Sequence, residues 1–368
     1  MEAERKDIRH PLFGTSFKNW IMLLSDHGGV DREYLLRTLF ITVMVLFLLP
    51  ARVLFRLFYG SRIAKTDVAY PPVFIIGHWR SGTTFLHELI SNDPQFAYVS
   101  LWYTLAPESF LVLEGFKKFF SQFLPTKRPM DAIKVDIDSP YEEEAALAAL
   151  GRWSFFHCFI FPQNPRRQYR QSVLFKDMTD KDIEIWKKKH LHLVKAVTFA
   201  NNGKRLILKN PANTSRIKIL LELFPDARFI FIYRNPYKVY ASTMKLRKRV
   251  LGPFALQNSN PEELGQDIIY NYVQLMNSYL EQKDLIPNGR LVEIRYKDLV
   301  EKPLEQIKLI YSKLGLSGFE MAKPSIQKHI DSQADYKTNV YKFDKEIIDI
   351  VDKNWGFTVK KWGYKSPK

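Results

Sequence analysis

The sequence predicts an α/β fold in which a central, mostly parallel β-sheet is flanked by helices. Three observations carry that prediction. Short apolar runs, "VFIIG" (73–77), "RLILK" (205–209), "RFIFIY" (228–233) and "RLVEIRY" (290–296), each end in a turn. Helical patterns lie between them, so the strands are joined by right-handed crossovers rather than hairpins. Proline punctuates the units: Asp93-Pro94 closes the first helix and Phe224-Pro225-Asp226 the second. Residues 71–368 therefore read as a single α/β domain. Its insertion at about 95–200 is a helical cap over the sheet edge, and its lysine-rich, weakly periodic segment 331–368 is a tail folded over the core.

Residues 1–70 read as a separate, apolar N-terminal helical segment. Between Arg37 and Arg52 no charge interrupts the chain, yet that run is shorter than the roughly 20 apolar residues of a membrane span. Two readings stay open for 34–59. One is a helix docked on the core. The other is a helix in peripheral contact with a membrane, with Arg37, Arg52 and Arg56 at the headgroups. No cleaved signal peptide is expected.

The 368 residues are 46% hydrophobic and carry a net charge of +16. Such a surplus suits an anionic ligand or an anionic lipid surface. Nucleic acid is not expected as a partner, because zinc-finger spacing is missing and the basic residues are spread along the chain. A single cysteine, Cys158, excludes an internal disulfide and points to a reducing compartment, hence a cytoplasmic protein.

Chemistry concentrates in two stretches. In "FIIGHWRSGTTFLHELI" (74–90) a strand runs into a glycine turn and then a helix; Gly77 and Gly82 bracket four residues. Backbone N–H groups can converge there on a phosphate at a helix N-terminus, beside the hydroxyls of Thr83 and Thr84. The loop lacks the lysine that reaches β- and γ-phosphates, having Thr83 at that place and Arg80 three residues earlier. No apolar run ends in an aspartate placed to hold magnesium, so no metal is expected and a nucleoside triphosphate fits poorly. A single 5′-phosphate with another substituent fits better. In "IFIYRNPYKVYAST" (230–243), Arg234 ends a strand and Ser242 follows eight residues later, about two turns into the next helix. Arginine and serine so spaced can meet on one more phosphate.

"GHWRSGTT" followed by "RNPYKVYAST" resembles the paired signatures of the sulfotransferase superfamily, in its bacterial-type and tyrosylprotein-like branch. The "RPMDAIKVDIDSPYEEEAAL" segment points the same way. The resemblance implies 3′-phosphoadenosine-5′-phosphosulfate (PAPS) as co-substrate. Arg80, Ser81, Gly82, Thr83 and Thr84 would hold the phosphosulfate, and Arg234 and Ser242 the 3′-phosphate. Phe85 stands where many members carry an adenine-stacking Trp. Tyr296 matches the tyrosine of a Tyr-Glu-Asp-Leu stretch, with Lys297 in place of its glutamate. Lys209, at a strand C-terminus, matches a lysine that contacts the transferring group. Asn213 replaces a histidine that often serves as base.

The acceptor hydroxyl then needs another base. In "DSPYEEEAALAALG", Ser139 reads as an N-cap, Pro140 as first turn and Glu142 as the capping-box glutamate. Glu143 shares a face with Leu147 and Leu150, and Glu144 lies a quarter-turn away. Glu143 and Glu144 are the favoured candidates and His157 the rival. The expected activity is in-line transfer of a sulfuryl group to a hydroxyl of a small molecule. The aromatic cap favours a lipophilic acceptor, a sterol, steroid or other lipid alcohol, over a carbohydrate or protein tyrosine. The alternative is a P-loop kinase or nucleotide-binding regulatory protein. Nothing in the sequence fixes the oligomeric state.

Overall fold

The computed structural model describes residues 10–122, 124, 136–259, 264–333 and 343–367. Five strands form one parallel sheet: β1 (Val73–Ile76), β2 (Phe96–Ala97), β3 (Arg205–Lys209), β4 (Arg228–Tyr233) and β5 (Leu291–Arg295), in the order β2-β3-β1-β4-β5. Four of the five follow from the sequence. The two-residue edge strand β2 does not, being too short to show a period. β1 is apolar throughout because both its faces are covered, as parallel sheets require. Register is set by these runs: Ile75 pairs with Lys209 on one side and Ile230 on the other.

The chain leaves β1 toward β2 and leaves β4 toward β5. β1 and β4 are neighbours, so their connections diverge and leave a crevice at their carboxyl ends, where open α/β sheets place ligands. The helix Thr83–Ile90 starts there after β1, and the helix Pro236–Phe254 after β4.

The chain sorts into two compact units, and their boundaries differ from those read in the sequence. One holds 71–97, 205–247 and 262–368; the other holds 1–70, 98–204 and 248–261. The cap segment thus belongs with the N-terminal helices. Shared cores are the reason: Trp20, Leu23, Ile41 and Val45 pack with Ile160, Phe161 and Leu256, while Phe55 and Ile63 pack with Trp102, Phe110 and Ala196. Two of the cap aromatics, Trp102 and Phe110, are core residues of the second cluster.

In the sheet unit, the segment expected as a weakly periodic tail contains a 17-residue helix, Lys345–Lys361, capped where Asp344 accepts from the Ile347 N–H at 2.8 Å. Trp355 is fully buried and stacks on Tyr272 at 3.7 Å. That one aromatic anchors the helix; truncating such a residue to alanine costs about 3–5 kcal/mol.

In the helical unit, Leu35–Phe47 and Leu49–Ala64 follow each other through Leu48, within a helix spanning Arg32–Ala64. At 33 residues it is long and apolar enough to cross a membrane, longer than the uncharged run had indicated. Two arginines expected at headgroups are used internally. Arg52 is buried, donating to the Gly14 carbonyl at 2.8 Å and to Glu108. Arg37 donates to the carbonyls of Gly252 and Ala255, at 3.1 and 2.6 Å. Burial pushes the Glu108 pKa up, but the charges around it, Arg52 foremost, outweigh that and leave it below the ordinary range.

The acidic segment also differs from expectation. Residues 128–135 lie outside the described residues. The helix begins at Glu143 with Glu142 as its N-cap, not at Ser139. Ser139–Tyr141 are held extended instead: Leu101 N–H donates to Ser139 O at 3.0 Å, and Tyr141 N–H to Val99 O at 2.8 Å.

Burial lowers the pKa of several imidazoles, among them His10 to about 4, His27 to about 3 and His78 to about 4. The unfolded chain takes up these protons near pH 6.5 and the folded chain only near 4 or below. Stability therefore falls as pH drops through that window, by about 1.4 kcal/mol per pH unit for each histidine. Urea unfolding at pH 7, 6, 5 and 4.5 should show this decline, with a shallower slope for His10→Asn than for the wild type.

Candidate active site

The loop after β1 adopts a backbone few residues tolerate. Gly77, Arg80 and Gly82 have φ of 139°, 71° and 101°. Only glycine enters that region without cost, and Arg80 occupies it as a non-glycine residue under local constraint. A Cβ on Gly77 would lie 2.3 Å from the Ile232 carbonyl oxygen, and one on Gly82 would lie 2.1 Å from the Tyr296 ring. Backbone approaches β4 and Tyr296 at distances that exclude any side chain.

Thr214 holds the entry to this loop. Its hydroxyl accepts from the Gly77 N–H at 2.8 Å and donates to the Gly77 carbonyl at 3.2 Å. Thr214 lies in the short 3-10 turn Pro211–Ser215 that follows β3, whose start is fixed by Asn210 accepting from the Ala212 N–H at 3.0 Å. Sequence reasoning missed it. A threonine after a strand is an ordinary turn residue, and its partner is 137 positions away.

The two predicted motifs converge. Arg80 Nε donates to Ser242 Oγ at 2.9 Å, and Arg234 donates to the Arg80 carbonyl at 3.0 Å. The Arg234 guanidinium sits 4.3 Å above the Tyr296 ring, within cation–π range, and the same ring presses on Gly82. Three segments distant in sequence, around 80, 234–242 and 296, thus share one cluster at the carboxyl ends of β1 and β4. Ser81 and Thr83 are buried beside it, while Thr84 and Phe85 are half-buried on the first turn of the helix. Gly82 caps that helix with no side-chain hydrogen bond. N–H groups at such an end are the natural ligands of an anion. Lys209, buried at the end of β3, is in register with Ile75 on the opposite side of β1 from Arg234. Lys297, in place of the expected glutamate, is 3.6 Å from Glu301 on an exposed helix face.

A sequence profile described as "Sulfotransferase family" matches residues 71–320, more than half of the chain. The chain belongs to the sulfotransferase family. It is 37% identical over 309 residues to the omega-hydroxy-beta-dihydromenaquinone-9 sulfotransferase Stf3 of Mycobacterium bovis, covering 84% of this chain and 79% of that one. Its fold resembles two solved sulfotransferases. STF9 from Mycobacterium avium aligns with TM-score 0.67 at 17% identity, over 96% of this chain and 98% of that one. STF1 from Mycobacterium tuberculosis aligns with TM-score 0.65 at 19% identity, over 94% of each. The protein is thus a sulfotransferase, and the kinase alternative falls away.

The three base candidates of this sulfotransferase lie in its helical unit. His157 does not suit the role. It is buried, with Nδ1 3.0 Å from the Arg152 carbonyl and Nε2 3.1 Å from the Ala148 carbonyl, so both ring nitrogens are occupied in packing. Burial lowers its pKa, outweighing both carbonyls. Glu144 is fully buried, and its Oε1 accepts from the Phe155 N–H at 2.7 Å, which fixes the turn after its own helix. Glu143 is buried as well, one residue earlier.

Thr214→Val should destabilise the fold by about 1–3 kcal/mol, since it leaves a buried N–H and carbonyl without their partner, whereas Thr214→Ser should stay near wild type. Urea denaturation of the two variants measures the difference directly.

Proposed function

We propose that this sulfotransferase takes its sulfuryl group from PAPS and delivers it to the hydroxyl of a lipophilic alcohol. The observation that carries the donor half is the cluster of Arg80, Arg234 and Ser242 against a glycine-lined helix N-terminus. This arrangement suits two separate phosphates rather than a triphosphate chain. When bound, PAPS supplies an activated sulfuryl group. The amides of Ser81–Thr84, with the Thr83 and Thr84 hydroxyls, would hold the 5′-phosphosulfate, and Arg234 with Ser242 the 3′-phosphate. Phe85 and Tyr296 offer aromatic surface for the base and for Arg234. Arg80, whose side chain reaches Ser242, would join the two phosphate sites.

The chain's own work in the reaction is positioning and charge neutralisation. Lys209 presents a cation from the strand end where negative charge develops in an in-line displacement. A carboxylate must take the acceptor's proton. Glu143 and Glu144, both buried on the first turn of one helix, are the candidates for that base.

Support for the acceptor comes from the relative Stf3, whose name specifies an omega-hydroxylated menaquinone derivative, a long apolar molecule ending in an alcohol. At 37% identity over most of both chains, an acceptor of that chemical class is the economical reading, ahead of sugar or tyrosine.

Arg80→Ala and Arg234→Ala should each weaken binding of adenosine 3′,5′-bisphosphate by about 1.5–3 kcal/mol, as loss of a charge-assisted phosphate contact does. Isothermal calorimetry giving wild-type affinity for both variants would remove the donor assignment. In single-turnover assays with labelled PAPS and a mixture of polyprenoid alcohol, sterol, sugar and tyrosine peptide, label should enter the polyprenoid or sterol. Lys209→Ala, and one of Glu143→Gln and Glu144→Gln, should lower turnover far more than nucleotide affinity. Label in sugar or peptide would refute the lipid acceptor alone.

A further inference from the structure

The helix Arg32–Ala64 is apolar along its length, yet only 28% of its most apolar stretch is buried. A core helix of that composition is covered on most of its faces. Here two stripes run along opposite sides. One, through Ile41, Val45, Arg52, Phe55 and Ile63, is docked on the rest of its unit. The other, through Leu36, Leu39, Phe47, Leu57 and Phe58, faces solvent, with Leu36 83%, Phe47 69% and Leu57 73% exposed. An apolar strip of this length on a folded surface marks a contact.

The charges at its borders choose the occupant. Arg32 is exposed at one end of the helix, and Arg62 and Lys65 are exposed at the other. Arg56, with its side chain 64% exposed, is paired with Glu108 at 3.3 Å and is left out of this border. No acidic residue interrupts the helix between Glu33 and Asp67. The whole chain carries +16. Apolar side chains bordered by cations match an anionic lipid leaflet, in which acyl chains lie beneath phosphates. Orientation follows from the docked stripe. A helix passing through the bilayer would have to give up the pairing of Arg52 with Glu108 and the Gly14 carbonyl, and the hydrogen bond of Trp20 to Thr42.

We propose that this sulfotransferase sits on an anionic lipid surface through the outward stripe of the helix Arg32–Ala64, which lies flat in the headgroup region without crossing the bilayer. The inference rests on the surface of the helical unit and stands whatever the donor and acceptor prove to be.

The test is cosedimentation of the purified full chain with sucrose-loaded vesicles, either phosphatidylcholine alone or phosphatidylcholine with phosphatidylglycerol. Wild type should pellet with the anionic vesicles, less with the neutral ones, and less at high salt. A Leu36→Glu/Leu57→Glu double variant should bind about tenfold less or weaker still, because each change removes an inserted leucine. Its urea unfolding should match wild type, since both positions are exposed, and that control separates lost binding from lost folding. Arg62→Glu/Lys65→Glu should erase the preference for anionic vesicles. Three outcomes would overturn the proposal: no vesicle binding by wild type, undiminished binding by the leucine variant, or resistance of the bound protein to alkaline carbonate. Sedimentation equilibrium covers one more. A wild-type dimer that the leucine variant converts to monomer would assign the stripe to a second copy instead.

Discussion

The pair of hydrogen bonds between Thr214 and Gly77 is the constraint on which the sheet unit's chemistry depends. β1 ends inside the protein, and Gly77, the first residue past it, is buried with an amide and a carbonyl that lie beyond the strand. Such groups need partners from the fold itself. One buried hydroxyl serves both. With Gly77 pinned, the chain must rise past Ile232 through a backbone that only glycine permits. It turns through the left-handed Arg80 and enters its helix at Gly82 under the Tyr296 ring. Arg80 is thereby aimed at Ser242 and its carbonyl at Arg234. The loop is therefore held in place by the fold itself, and a ligand that used it would not bear the entropic cost of ordering it.

Much of this was legible from the chain. Parallel strands with both faces covered must be largely apolar, so β1, β3 and β4 announce themselves, while the edge strand β5 shows by alternation, with Val292 and Ile294 buried and Glu293 exposed. The clustering of Arg80, Gly82, Arg234 and Ser242 was visible because their two short motifs fix residue type and spacing at the ends of β1 and β4. What escaped was whatever depends on contacts between distant segments. Thr214 acquires its role from a residue far away in sequence, and His157 loses its proposed role to two carbonyls that no local pattern reveals. The Ser139–Pro140 helix start failed for the same reason. It is a sound local capping signal, overridden where residues 139–141 pair with the strand-like backbone of 99–101.

The helical unit obeys a different logic. Its N-terminal helix has enough apolar surface for two faces and uses one of them for folding. Arg52 shows how firmly that face is committed: a guanidinium taken out of water is tolerable only with Glu108 and the Gly14 carbonyl in place, and breaking such a buried pair from one side costs about 3–5 kcal/mol. A sequence-level count of uncharged residues treats Arg52 as the end of an apolar run. Inside the fold it is the opposite, a polar pin fastening the middle of the helix to the protein.

Basic surplus in this protein is thus not one property but several. Arg37 bonds to carbonyls within its unit, and Arg52, buried and paired with Glu108, gives the surface little of the +16. Arg80 and Arg234 are different. The bonds from Arg80 to a serine hydroxyl and from Arg234 to a main-chain carbonyl draw two guanidinium groups to one end of the sheet, and neither of those two acceptors carries a charge. Under the proposed donor, a dianion placed there would meet both guanidinium groups. The loop carries Thr83 where a triphosphate-binding loop carries its lysine, and Arg80 and Arg234 bring their cations to that end of the sheet without it.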